Sequence, residues 1–432
     1  MNTAQLSLDQ APPYSVPLRF FFTAPLFGVA AALLLLWYGP AALLSRWSPA
    51  LLAITHCMTL GFAGMVMSGA LLQLLPVLVG ARVRRPRLFS ALIHGMLTPG
   101  VVVLVLAFIS GRQALFILAL LLLVGALTLL GAVAALALRR SAATQATART
   151  LRLALLALLV TVLLGAYLAL VRGAVLNGVP GLTSAHLSWG LLGWIGLLVM
   201  AVAYQVVPMF QMTPEYPPLI TRSLGIVLFF LLVLWSLAAS CPVGPVLRVM
   251  QSVIGVLLML VCTGFALVTL WLQQRRRRRL PDVTLWYWRV GMLALLASGV
   301  LWLIDEIWPE LSTQAFYPLL LGVLMIVGFT VAVISGMLYK IVPFLGWLHL
   351  HAQLHTRAER RTRLPTMKDF IPERVARRQF HAYLLALVLM VGAVVSPAWF
   401  VYPAAFAWLL ACMLLWLNIF NAVRMYRRLS MG

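Results

Sequence analysis

Apolar residues in this chain run in long blocks, and the polar residues between them fall in short clusters. Twelve blocks are long enough to cross a bilayer as helices, at about residues 19–42, 48–79, 88–110, 113–138, 151–172, 181–210, 221–240, 243–273, 284–306, 314–346, 379–397 and 400–424. We number them span 1 to span 12. Their interiors lack the apolar/polar alternation of barrel strands, so the pattern predicts helices rather than a closed sheet. Span 1 is too long for the core of a signal peptide, and Asp9 precedes it with no basic residue before Arg19. The reading is therefore an uncleaved, all-α integral membrane protein.

A second pattern lies within the first. Gly69-Ala70-Leu71-Leu72-Gln73-Leu74-Leu75-Pro76 returns as Ala201-Val202-Ala203-Tyr204-Gln205-Val206-Val207-Pro208 and again as Gly336-Met337-Leu338-Tyr339-Lys340-Ile341-Val342-Pro343. The copies are spaced by 132 and 135 residues, one in every fourth span. A repeat of that length predicts three pseudo-threefold-related four-helix units, about 17–140, 150–280 and 283–428, within one transmembrane domain covering 1–432. Spans 2, 6 and 10 carry the signature. Their small residues allow close backbone approach, and their polar groups need partners away from lipid, so these three belong at the centre.

Each signature proline leaves a carbonyl without its helical donor, those of Leu72, Tyr204 and Tyr339. Gln73, Gln205 and Lys340 follow directly, placed to meet those carbonyls or one another. Two readings stay open for this polar group: a clamp holding the bundle together, or one wall of a proton or solute path. Glu215, just beyond span 6, is a candidate partner for Lys340.

Composition agrees with lipid as the main solvent: 63% of residues are hydrophobic and 9% charged, and the mean hydropathy is +1.02. The net charge of +23 suggests nucleic acid until its placement is examined. Arg82, Arg84, Arg85 and Arg87 follow span 2; Arg139, Arg140 and Arg149 follow span 4; Arg275–Arg279 follow span 8; Arg424, Arg427 and Arg428 close the chain. The alternate loops hold few basic residues and the acidic Asp305, Glu306 and Glu310. By the positive-inside rule both termini are cytoplasmic, in a bacterial inner membrane, and the arginines anchor topology against the lipid bilayer; no nucleic-acid partner is implied. Cys57, Cys241, Cys262 and Cys412 are scattered and define no disulfide framework.

Among seven histidines, two sit deep in central spans. His56 and His186 each lie roughly 10 Å below the outer end of their helix at 1.5 Å per residue. Such a pair suits axial ligation of haem b or imidazole ligation of copper, and also suits a purely structural hydrogen-bonding role. Their registers differ: His56 is 17 residues before Gln73, whereas His186 is 19 before Gln205. Two residues turn a helix by about 200°, so a shared azimuth needs an intervening bulge, for which Gly190, Gly193 and Gly196 are suitable. Cys57 and Met58, beside His56, add soft atoms for an alternative copper site with His186. His349, His351 and His355 form a weaker metal candidate at the cytoplasmic end of span 10. His94 and His381 are read as interfacial.

Twelve helices, cytoplasmic termini, three four-helix units and histidines in the outer third of inner helices together resemble haem-copper oxidase subunit I. Locally, His56-Cys57-Met58-Thr59-Leu60-Gly61-Phe62 with Gly69-Ala70-Leu71-Leu72 is similar to the second-helix pattern of the NnrS family, and Arg19-Phe20-Phe21-Phe22 to its first helix. That family is a haem- and copper-associated membrane group linked to nitric oxide and denitrification. The chain departs from both patterns. Ile54 and Cys57 stand where NnrS has a histidine and a glutamate. His186 is followed four residues later by Gly190 rather than the oxidase tyrosine. No paired histidines occur between Ile220 and Ser240, and none between Leu319 and Ile326; His349-x-His351 lies at the wrong end of its helix. The resemblance therefore implies a non-catalytic relative, not an oxygen-reducing enzyme. It would bind haem b or copper in respiration, denitrification or nitric oxide response, beside subunits of such complexes. Alternatives are a small-solute or metal transporter, and a cofactor-free assembly partner of a respiratory complex.

Overall fold

The computed structural model describes residues 11–139, 146–239, 244–277, 280–355 and 365–431, and among these it is helical with no strand. Arg140, Cys241, Arg278 and Arg279 lie outside the described residues. Twelve helices are long and apolar enough to cross a membrane: Ser15–Leu43, Pro49–Val77, Pro86–Ser110, Gln113–Arg139, Ala146–Arg172, Leu182–Gln211, Pro218–Ala238, Val246–Gln274, Val283–Ile307, Phe316–His351, Glu373–Val395 and Pro397–Ser430. They match the twelve apolar blocks one for one. Spans 10 and 12 continue well past their apolar blocks because a helix satisfies its own backbone even where its side chains turn polar.

Local chemistry sets several ends. Spans 2 and 3 begin on Pro49 and Pro86, where a missing N–H costs nothing. Asp282 caps span 9 by accepting from the Leu285 amide at 3.1 Å. After span 10, Thr366 and Asp369 form a capping box on the short helix Met367–Phe370.

The packing separates an inner from an outer set. Within their most apolar windows spans 2, 6 and 10 are 61%, 72% and 67% buried, and no other span exceeds 50%. Those three are the interior helices. Around them, span 4 packs on span 5, span 8 on span 9, and span 12 back on span 1.

Each interior helix opens into a π-helical stretch: Cys57–Gly64 in span 2, Trp189–Gly196 in span 6 and Val323–Val331 in span 10. The three stretches are in register. Gly64, Gly196 and Val331 each stand twelve residues before their signature proline. A glycine also recurs fifteen residues before each proline, and each faces the span that precedes it in the chain: Gly61 against Phe27, Gly193 against Ala157, and Gly328 against Ala294. A Cβ on Gly328 would fall 2.6 Å from that of Ala294, a distance real side chains do not reach. Widening the helical turn to i→i+5 disturbs the regular i→i+4 ladder. Side chains serve carbonyls here: Ser68 donates to Gly64 O at 2.7 Å, Thr330 to Met325 O at 2.9 Å and Tyr383 to Val327 O at 2.9 Å. The middle of span 10 touches the π-helical stretches of both spans 2 and 6, so the belts meet at the centre of the bundle.

The signature residues pack as their size requires. Gly69 lies against Phe20 and Pro17 of span 1, and Gly336 against Tyr287 and Thr284 of span 9, where the Thr284 hydroxyl donates to Gly336 O at 3.0 Å. The helices run on through Pro76, Pro208 and Pro343.

Candidate functional site

Two groups of polar residues are sunk in the bundle, one on the arginine-rich side and one on the opposite side. On the arginine-rich side, the third copy of the signature is fully engaged. The Tyr339 hydroxyl donates to Gln379 Oε1 at 3.1 Å and accepts from Asn418 Nδ2 at 2.9 Å. Tyr287 donates to the same Gln379 oxygen, and Gln379 Nε2 donates to Ala411 O at 3.1 Å. Lys340 Nζ lies 2.8 Å from Asp282 Oδ2. The partner of Lys340 is therefore the cap residue of span 9, not Glu215 beyond span 6. Asp282 serves both roles by offering Oδ1 to the Leu285 amide and Oδ2 to the ammonium.

The first two copies differ. Gln73 is buried and its Oε1 has no hydrogen-bond partner among the described residues; the Tyr204 hydroxyl has none among them either, although its ring packs edge-on to Tyr216 at 5.3 Å. Tyr216, in the loop after span 6, pairs its hydroxyl with Thr269 at 2.9 Å, and burial raises its phenol far above the usual tyrosine range. Gln205 is half-buried and engaged with the protein. The three signatures thus share backbone geometry without sharing one polar network.

On the opposite side, His56 and His186 are held alike. His56 Nδ1 is 2.8 Å from Leu52 O of its own helix, and His186 Nδ1 is 3.1 Å from Thr161 O of span 5. Each carbonyl accepts the Nδ1 proton, which places the lone pair on Nε2. Neither Nε2 is hydrogen-bonded to a described residue. The two imidazoles lie within electrostatic reach of each other. The His56 ring lies over Phe108 of span 3 at 5.1 Å with a 30° tilt. His186 fits because Gly165 of span 5 has no side chain: a Cβ there would stand 3.0 Å from His186 Cε1.

The bulge invoked to align the pair exists, but it does not align them. It follows both histidines, and it occupies the same register in spans 2 and 6. Ser188 is the positional equivalent of His56, and Ile54 that of His186. His56 is set against span 3 through Phe108 and His186 against span 5 through Thr161 and Gly165, and repeat symmetry does not relate the two positions.

The remaining candidates disperse. Cys57 is buried, whereas Met58 lines the central cavity, which His56 does not. Consecutive helical residues point about 100° apart, so His56, Cys57 and Met58 do not converge. His349 has both ring nitrogens against carbonyls, Leu345 O at 2.9 Å and Pro12 O at 3.1 Å, and ties the N-terminal segment to span 10. His351 packs on Trp347 at 4.4 Å, and the side chain of His355 lies outside the described residues. Among the described residues no three His, Cys, Asp or Glu side chains form a metal-sized cluster. His94 shares a 2.9 Å hydrogen bond with Thr23 of span 1 and meets Phe20 edge-on, joining spans 1 and 3. His381 is exposed.

Sequence reasoning missed the central cavity. It encloses about 520 Å³ between the halves of the interior helices away from the arginine clusters; Met58, Leu191, Leu192, Val323 and Val327 come from their π-helical stretches. Trp235, Trp302 and Tyr317 contribute aromatic wall, and Arg46 and Asp305 contribute charge. The recurring glycines at 61, 193 and 328 were the available signal for the π-helical belt beneath it. Neither a protein-family model nor a curated protein sequence matches this chain.

Proposed function

We propose that the protein is a membrane metal-binding protein that holds one transition-metal ion between His56 Nε2 and His186 Nε2, inside a bundle of three four-helix units like that of oxidase subunit I. The observation that carries this reading is the matched anchoring of the two rings. A ligand histidine has its distal N–H fixed by a carbonyl or carboxylate and its other nitrogen left open. Both histidines fit that pattern. The in-register π-helical belts and glycines support the three-unit arrangement, and the arginine clusters support cytoplasmic termini.

Copper fits this donor set better than haem b. Imidazole suits copper, which stands highest in the affinity order of divalent first-row ions. A porphyrin needs an open slot between its ligands, and neither histidine lines the central cavity, while Phe108 covers one face of His56. Bound copper would supply a one-electron couple; the chain's part is to fix two imidazole tautomers and to keep Phe108 and the helices around them dry. The central cavity favours a second reading, a permease with a vestibule on the side opposite the arginine clusters.

A reduced-minus-oxidised visible spectrum with iron and copper analysis separates these. Copper near one per chain, lost in both His56→Ala and His186→Ala, supports the site. A b-type spectrum lost in the same variants moves the cofactor to haem. Protein free of metal after copper- and haem-replete expression retires the site and leaves the vestibule.

A further inference from the structure

The seam where the bundle closes carries a feature that the metal site does not use. Span 12 packs back on span 1, and on the arginine-rich face the two helices part to leave a groove of about 600 Å³. Its polar rim is Arg19 from span 1 and Arg424, Arg427 and Arg428 from span 12. Positions 424, 427 and 428 share one helix face at i, i+3 and i+4. None of these four arginines forms a salt bridge among the described residues, and no acidic residue lines the groove. The three on span 12 are exposed. Below the rim the walls turn apolar, with Leu18, Phe22, Phe420 and Val423. Trp416 lies one turn deeper, 5.0 Å from Phe22 and stacked at 5.5 Å on Phe420.

Four guanidinium groups, brought to one groove from helices some 400 residues apart in sequence with no carboxylate lining it, favour an anion there. Arg19 also donates from Nε to Ser15 O at 3.4 Å. Guanidinium recognises phosphate oxygens in a bidentate manner, and the apolar wall directly beneath asks for hydrocarbon attached to that phosphate. We propose that this groove is a binding site for an anionic diacyl phospholipid, its phosphate held by Arg19, Arg424, Arg427 and Arg428 and one acyl chain laid along Phe22 and Phe420. The lipid bridges the first and last spans and closes the ring. Diffuse attraction to a charged membrane surface acts on every basic cluster alike; this site is distinguished by the joined groove and the aromatic wall.

The test uses the full-length protein, stripped of lipid in detergent and returned to defined lipid. Native mass spectrometry after addition of dioleoyl phosphatidylglycerol is expected to show one retained lipid. The Arg424→Gln/Arg427→Gln/Arg428→Gln variant is expected to lose at least tenfold in occupancy. Arg275→Gln/Arg276→Gln/Arg277→Gln, with the same charge removed elsewhere, is expected to keep it. Dioleoyl phosphatidylcholine should bind weakly, and millimolar inorganic phosphate should not displace the retained lipid. Equal loss in both triple variants, or displacement by inorganic phosphate, overturns the proposal. Should the first triple variant fail to fold, Arg19→Gln and the wild-type thermal shift decide the matter. A shift with phosphatidylglycerol that matches the shift with phosphatidylcholine, or one unchanged in Arg19→Gln, also overturns it.

Discussion

The clamp around Tyr339 is buried and the histidine pair half-buried in the helical bundle, and their polar atoms are completed differently. In the clamp the Tyr339 hydroxyl both gives and receives a hydrogen bond, Gln379 uses both ends, and Lys340 has a carboxylate at 2.8 Å. In the pair each imidazole has one nitrogen tied to a carbonyl and the other without a hydrogen-bond partner among the described residues. An unsatisfied polar atom in low dielectric is costly. Completion marks the clamp as architecture, whereas the open nitrogen on each ring is what the proposed metal site rests on.

That contrast can be broken at its strongest point first. Removing one member of the Lys340–Asp282 pair, as in Lys340→Met or Asp282→Asn, should lower stability by about 3 kcal/mol, because the remaining charge is largely buried. Detergent unfolding curves check this, and the double variant should recover most of the loss. Gln379→Leu strands the Tyr287 hydroxyl, leaves that of Tyr339 with only its bond from Asn418, and should cost roughly 1–2 kcal/mol in the same assay. It should leave metal content unchanged, since the clamp and the pair are separate. Gly165→Ala has the opposite profile. The added methyl pushes on His186, so metal affinity measured against a competing chelator should fall about tenfold or more, with the helical content preserved. Gln73→Leu should be the mildest, near neutral in stability, because its Oε1 has no hydrogen bond to lose.

Much of the architecture was legible in the sequence. Twelve apolar blocks are twelve helices, since lipid leaves an isolated apolar segment no other way to satisfy its backbone. The signature on spans 2, 6 and 10 identified the buried helices because small and polar residues are excluded from lipid-facing surface. The π-helical belt was not read, as its residues are as apolar as their neighbours and the widened turn leaves no compositional trace. Gly61, Gly193 and Gly328 in common register were the clue. Asp282 was missed as the partner of Lys340 because its pairing depends on how span 9 packs against span 10, which no local pattern encodes. The histidines were found by depth, and the Leu52 carbonyl four residues before His56 is a local contact; the Thr161 carbonyl and the gap at Gly165 that hold His186 arise from tertiary packing. The central cavity is likewise assembled from many helices at once.

The most direct test of the account is the copper absorption edge and its fine structure on copper-loaded wild-type protein, beside His56→Ala and His186→Ala. The account predicts a first shell containing two imidazole nitrogens and no sulfur, with copper lost in either variant. A shell dominated by sulfur, which would come from Cys57 or Met58, or copper retained unchanged when both histidines are removed, would contradict it.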